Sequence, residues 1–483
     1  MLPIWLAILP LALFIASGAV LDRVLALDLG TAESTGGDAG KWVRWAMCGL
    51  VACFAAALHP AVLAALIALA LVGRLAKRGR VAPASVVERA EDRRVGVAFG
   101  VAAAVLALVV ICRPAALVYW DSFVWLAKGR IESAGWGALR AASLDRSADV
   151  IPSGYPMFWP LASSWLSMGG RSMEALAAGA AAMTLVTLML FLDAVASAFG
   201  DRGPARDGRG DRPRWAPLAL VLVGITPLVF VHLRSAYADL PVGLLAATCT
   251  LRLSRCIERP DGRSGDLAIA SMAAVALAGL KDEGMAHVAA LAIAVIVLQL
   301  RSRERLPLSP AMVVMAAAAL PFNGWRMILR AHNVIDADHR PSAPDFAAAG
   351  AVGRSVLQHL ADTRSWGALW PIAFACAAFV LGRGKTFRSG SRFAALAFLA
   401  EGGVLFAALL FGPDRVRVFA FEGTLINRLL IQLAPPAGVL MTLALADAAE
   451  AWQAVQAVRR AAPIPMELAA PPAPHVALTR SPE

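Results

Sequence analysis

The apolar residues of this chain come in long blocks, most of them about 17–25 residues, the length of helix that crosses a ~30 Å hydrocarbon core. A backbone inside hydrocarbon must satisfy its own N–H and C=O groups, so blocks of this kind joined by short basic loops fold as a bundle of transmembrane helices. Hydrophobic residues make up 59% of the 483 and charged residues only 16%. A soluble domain carries roughly 25% charged residues, so this chain has too few polar side chains to cover a water-exposed globule. The expected fold class is all-α, a polytopic transmembrane helical bundle of about twelve spans. They fall near 2–20, 46–73, 95–112, 172–198, 215–232, 239–256, 267–280, 285–300, 309–330, 366–382, 393–412 and 427–446.

The placement of basic residues orients the bundle. With the N-terminus inside, the cytoplasmic loops are 74–94, 199–214, 252–266, 301–308 and 383–392, and they hold 23 Lys and Arg in 70 residues. The opposite loops are about twice as long in total and hold 16, so the positive-inside bias puts both termini in the cytoplasm. The net charge of +11 is thus a topology feature whose partners are anionic membrane lipids, not nucleic acid. Segment 2–17 resembles a signal-peptide core but lacks a basic stretch before it, and is read as a span. The six cysteines lie in or beside spans without a Cys-x-x-Cys pair, as small apolar residues do.

Three regions follow: an N-terminal two-span extension, 1–94; the main bundle, 95–446; and a cytoplasmic tail, 447–483, that begins as helix and ends rich in Pro and Ala. Two outer loops are long, 113–171 and 331–365, and long loops in compact proteins tend to be functional. The first holds two stretches with surface-helix character, Ser122 to Glu132 and Tyr155 to Met168, and enough tryptophan to lie against the headgroups.

Ionisable groups near the apolar slab need a partner or a role, and four constellations fall at outer helix ends. In Tyr119-Trp120-Asp121 the carboxylate either caps the following surface helix or acts as a proton acceptor for an attacking hydroxyl. Tyr237-Ala238-Asp239-Leu240-Pro241 fits an ordinary helix start as well as it fits a site. Lys281-Asp282-Glu283-Gly284 joins two spans with no room for a loop; Lys281 either pairs with Glu283 or holds a phosphate. Arg428, about to enter the last span, either bridges to Glu422 or Glu401 or binds a lipid phosphate through its planar fork.

Arg326 and Arg330, one turn apart, are further basic anchors or phosphate contacts. His332, Asp336, Asp338 and His339 include metal-capable side chains in no recognised ligand spacing; a solvated loop explains them, and a divalent metal is an alternative that nothing else in the sequence supports, with no other cofactor indicated. No phosphate-binding loop, dinucleotide fingerprint or nucleophile elbow is present in the sequence. Within spans, Asp193, His287 and Glu401 are the main titratable groups, and their spacing shows no relay.

The order of these pieces resembles the GT-C superfamily of polytopic glycosyltransferases, in particular the bacterial branch of protein O-mannosyltransferases and aminoarabinose transferases. The resemblance runs over about 95–446. It rests on Tyr119-Trp120-Asp121 at the head of the long loop and Gly154-Tyr155-Pro156-Met157-Phe158-Trp159-Pro160-Leu161 at its end. Ala236 to Pro241, the Lys-x-Glu-Gly turn at 281–284, and Asn427-Arg428-Leu429-Leu430-Ile431-Gln432-Leu433 complete it. Two extra spans precede the loop, and Trp-Asp-Ser stands where the family commonly has paired acids.

The resemblance implies inverting transfer of a sugar from a polyprenyl-phosphate donor to a glycan, lipid or protein acceptor on the periplasmic side of a bacterial inner membrane. Asp121 would be the base, with Asp239 and Glu283 the further catalytic carboxylates. Lys281, Arg326 and Arg428, with Tyr119, Tyr155 and Tyr237, would line the donor site and stabilise the phosphate leaving group. The alternatives are a transporter or lipid flippase, which calls for ionisable groups deep in the spans, and a non-catalytic envelope subunit, which would tolerate substitution at all four constellations.

Overall fold

The computed structural model describes residues 120–134, 136–144, 156, 158–160, 173–200, 223–224, 226–233, 235–258, 263–301, 309–334, 346–412 and 414–461. Among them the only regular secondary structure is helix. In chain order the helices are α1 (Trp120–Ser133), α2 (Trp136–Leu144), α3 (Met173–Gly200), α4 (Pro227–Leu233), α5 (Asp239–Glu258), α6 (Arg263–Leu280) and α7 (Asp282–Arg301). There follow α8 (Ser309–Ala331), α9 (Phe346–Leu360), α10 (Thr363–Trp366), α11 (Leu369–Arg383), α12 (Ser389–Phe411), α13 (Asp414–Phe421) and α14 (Thr424–Ala461). Helices α5, α7, α8, α12 and α14 are long and apolar enough to cross a membrane, by length and composition. The spans expected at 2–20, 46–73 and 95–112, and with them the extension 1–94, lie outside the described residues.

Helix α5 is the axis of the bundle, packed against α3, α6, α12 and α14. Its most apolar stretch is 94% buried, against 44% for α7 and 24% for α8, which turn one face outward. Small side chains make that centrality workable, because helices in hydrocarbon gain from close approach rather than from excluding water. A Cβ on Gly243 would lie 2.6 Å from the Gln432 carbonyl oxygen and 3.0 Å from Pro435 Cδ, so only glycine lets α5 and α14 cross here. The hydroxyls on α5 fold back onto their own helix: Thr248 donates to Leu244 O at 2.8 Å, Thr250 to Ala246 O at 3.0 Å and Ser254 to Thr250 O at 2.7 Å. They therefore enter the core without an unmet donor.

Helix α14 continues into the helix expected at the start of the tail. The span predicted at 427–446 belongs to one helix running on to Ala461, so the expected boundary between 446 and 447 falls inside it. Asp447 is the reason: its buried carboxylate accepts from Ser391 Oγ at 2.6 Å and from the Arg388 backbone N–H at 2.9 Å, clamping the helix to the start of α12. Pro435 and Pro436 sit inside α14 and cannot donate to the carbonyls of Ile431 and Gln432.

At the end of the bundle where α5, α7 and α14 begin, α1 of the long 113–171 segment packs down rather than projecting. Trp125 and Leu126 join one apolar cluster with Phe158, Trp159, Ala236, Ala238 and Leu280. Trp159 Nε1 donates to Ala236 O at 2.9 Å, and a Cβ on Gly129 would stand 2.9 Å from Pro160 O, so α1 rides directly on the 158–160 turn.

The opposite end is closed by ion pairs. Arg252 on α5 bridges Asp193 of α3 and Asp266 of α6, the latter at 2.8 Å, while Arg255 reaches Asp266 at 2.9 Å. Asp193, one of the main titratable groups that the sequence places within spans, belongs to this group through Arg252.

Candidate functional site

Two tight turns build the site. Before α5, Ser235 Oγ donates to His232 O at 3.1 Å and accepts from Tyr237 N–H at 3.3 Å, which turns the chain and starts the helix at Asp239. Between α6 and α7 a single residue, Lys281, is non-helical. Its carbonyl accepts the Gly284 N–H at 3.0 Å, and any Cβ at 284 would collide with the Leu277 carbonyl. The Lys-Asp-Glu-Gly turn is thus as compact as it is because position 284 has no side chain.

These turns place Asp239 and Lys281 side by side. Asp239 is fully buried, and its carboxylate is held by three donors from two further elements. Lys281 Nζ stands 2.8 Å from Oδ1, Gln432 Nε2 donates to Oδ1 at 2.7 Å, and Arg428 Nε donates to Oδ2 at 3.1 Å. An isolated carboxylate could not be kept there, since removing its hydration costs several kcal/mol or more. With its lone pairs committed, Asp239 is suited to holding two cations in place and poorly suited to accepting a further proton.

Lys281 also reaches Glu283 Oε1 at 3.1 Å, and the other carboxylate oxygen of Glu283 has no hydrogen-bond partner among the described residues. Arg428 lies over the Tyr237 ring at 5.4 Å, and that ring meets His232 at 4.9 Å. The cluster therefore contains two cations, two carboxylates and one amide, with an aromatic wall under the guanidinium.

Four sequence-predicted residues, Asp239, Lys281, Glu283 and Arg428, meet in this cluster, and Tyr237 flanks it. Arg428 pairs with Asp239, where the sequence offered Glu422 or Glu401. Arg326 is nearby but otherwise engaged: it bridges Asp282 Oδ2 at 2.9 Å and stacks on Phe322 at 5.6 Å. Asp121 falls in the first turn of α1, with its side chain outside the described positions; Tyr119 and Tyr155 lie outside the described residues altogether, as do Asp336, Asp338 and His339. Among the described residues no group of three or more His, Cys, Asp and Glu is arranged to hold a metal.

Three participants were not singled out as site residues. Gln432 bonds Asp239 on one side and, through Oε1, His287 Nε2 at 3.2 Å on the other. His287 in turn faces Glu401, Nδ1 to Oε1, at 3.6 Å. A polar line thus runs from the cluster into the bundle, where spacing alone showed none. Helical periodicity carried the hint, because Gln432 lies one turn after Arg428 and His287 one turn after Glu283.

Beside the cluster, α9, α11, α12 and α14 enclose an apolar crevice of about 230 Å³. Leu429, Leu430 and Leu433 line it from the same helix that carries Arg428 and Gln432, opposite Trp370, Phe398 and Phe406. No family model, curated protein or solved structure matches this chain.

Proposed function

We propose that the chain is a membrane glycosyltransferase that moves a sugar from a polyprenyl-phosphate donor to an acceptor at the periplasmic face of a bacterial inner membrane. The observation that carries this reading is the meeting of Lys281 and Arg428 on one buried carboxylate, beside an apolar crevice lined by the residues that follow Arg428. A lipid phosphate needs this pairing of surfaces: cationic donors for the headgroup and a dry groove for the chain. Arg428 is held by Asp239 through Nε, and the planar guanidinium is the side-chain type whose geometry matches phosphate oxygens.

In this reading Asp239 positions the two cations. Charge building on the departing phosphate is met by Lys281 and Arg428. Asp121, by the resemblance, takes the proton of the acceptor hydroxyl, and Glu283, with one carboxylate oxygen uncommitted, is the second acceptor beside the site. The test is mass spectrometry of envelope glycans from cells carrying wild type, Asp121→Asn or Glu283→Gln. Loss of the transferred sugar in Asp121→Asn, at unchanged protein level in the membrane, is expected; full transfer in that variant removes Asp121 as base.

One observation favours a transporter or flippase instead: the line Asp239–Gln432–His287–Glu401 runs inward along helices that cross the bundle. Proteoliposomes that move a polyprenyl-phosphate lipid between leaflets without forming any glycosylated product would decide for it.

A further inference from the structure

Glu401 sits mid-way along α12 with no exposed surface, and among the described residues neither of its carboxyl oxygens has a hydrogen-bond partner. The group that faces it is Nδ1 of His287 on α7, 3.6 Å away, on a side chain that is also fully buried and likewise without a hydrogen bond at that atom. A bare carboxylate in such a place would be an uncompensated buried charge.

The hydrogen bonds further along the line fix where protons are. A carboxylate can only accept, so at the 2.7 Å contact with Asp239 it is the Gln432 amide nitrogen that donates. That sets the amide, and its oxygen must face His287 Nε2 and accept from it at 3.2 Å. His287 therefore carries a proton on Nε2. A neutral ring then turns a lone pair at Nδ1 toward Glu401, and two acceptors cannot face one another in a dry interior. One more proton has to lie between Nδ1 and Oε1. The apolar surroundings favour placing it where no charge is created, on the carboxyl group.

Of the helices packed against α12, α9 carries Arg354 and His359, α11 Cys376 and Arg383, and α13 Arg417, and among the described residues the ion pair of Glu401 is with His287 alone. On α5 the titratable group near Glu401 is Cys249, whose thiol donates to Ala270 O at 3.5 Å. On α14 the polar neighbour of the line is Gln432, a neutral amide that does not titrate, with Arg428 one turn further out and paired with Asp239. Glu283 on α7 is one turn out from His287 and paired with Lys281. On α12 itself the other ionisable group is Arg392, nine residues or roughly 13 Å along the helix.

We propose that Glu401 and His287 form a buried binding site for one proton, held on a carboxylic acid that faces a neutral imidazole, and that Gln432 ties its occupancy to the Asp239 cluster. This stands whether the chain transfers sugars or moves lipids. If the proton leaves, His287 must reorient to give Glu401 a donor; Nε2–H is then withdrawn from Gln432, and the amide that holds Asp239 loses its orientation.

Infrared spectra of the full-length protein in lipid nanodiscs at neutral pH test this directly. In the wild-type minus Glu401→Gln difference, the lost intensity is expected in the C=O stretch of a protonated carboxylic acid. Loss in the carboxylate stretching region instead overturns the proposal. Should Glu401→Gln fail to fold, wild-type protein labelled with ¹⁵N-histidine reads the other partner: a buried ring protonated on Nε2 alone is expected, and a doubly protonated ring in its place overturns the neutral pair. The tie to the cluster is read in Gln432→Met, where removing the acceptor of Nε2–H is expected to shift the acid band. An unmoved band refutes the coupling.

Discussion

Lys281 and Asp239, 42 positions apart in the chain, meet at 2.8 Å with side chains 1% and 0% exposed. A lysine and an aspartate so fully withdrawn from solvent need charged partners, and here each is a partner of the other.

Lys281→Met should therefore cost about 3–5 kcal/mol, because it strands a buried carboxylate with one cation fewer. The double variant Lys281→Met/Asp239→Asn should recover part of that loss. Thermal unfolding in detergent across the four proteins gives the coupling energy, and additive effects would contradict the pairing.

Gly243 sets how closely α5 and α14 cross. Gly243→Ala places a methyl group against the Gln432 backbone, which a packed helix cannot move aside, and should destabilise by about 1–3 kcal/mol. Gly350→Ala on α9, with nothing within 4 Å of the new methyl group, should be neutral or stabilising by about 0.5–1 kcal/mol. Melting temperatures of the two variants, measured side by side, check the contrast.

At the opposite end, Arg252→Ala should strip Asp193 of its ion pair, leave Asp266 with Arg255 alone, and cost about 3–5 kcal/mol, with no change in ligand affinity in the folded fraction. Equal loss of stability and of affinity would show that the two ends of the bundle are coupled.

Trp159 anchors the 113–171 segment through one hydrogen bond to the turn that precedes Asp239. Trp159→Phe keeps much of the ring packing and removes the donor, at a cost of about 0.5–1.5 kcal/mol. Hydrogen exchange in α1 should rise in this variant while α6 and α8 stay protected.

Much of this architecture was legible in the chain. The apolar blocks locate α5 to α8 and α12 to within a few residues, because helices in hydrocarbon must be long, apolar and internally hydrogen-bonded. The site was legible where charges sit at helix ends: Asp239, Lys281, Glu283 and Arg428 are conspicuous because polar groups there need partners. Which partners they take was not legible. Arg428 finds Asp239 across 189 positions, a choice made by the Gly243 crossing rather than by anything near either residue. His287 and Glu401 stand out in the sequence as titratable groups in spans and Gln432 lies in the 427–433 motif, but the line joining them was not legible, although Gln432 and His287 follow cluster residues by one helical turn. Asp447 was placed in the tail because a polar helical stretch reads the same whether it ends in water or clamps a neighbouring helix.

The most direct test of the central claim is binding of undecaprenyl monophosphate to the purified full-length protein in nanodiscs, followed by native mass spectrometry, with undecaprenol as the uncharged control. Wild type should bind the phosphate well above the alcohol, and Arg428→Gln, which keeps a donor toward Asp239, should lose about tenfold or more in affinity for the phosphate alone. Equal binding of phosphate and alcohol by wild type, or an unchanged phosphate affinity in Arg428→Gln, would contradict the account.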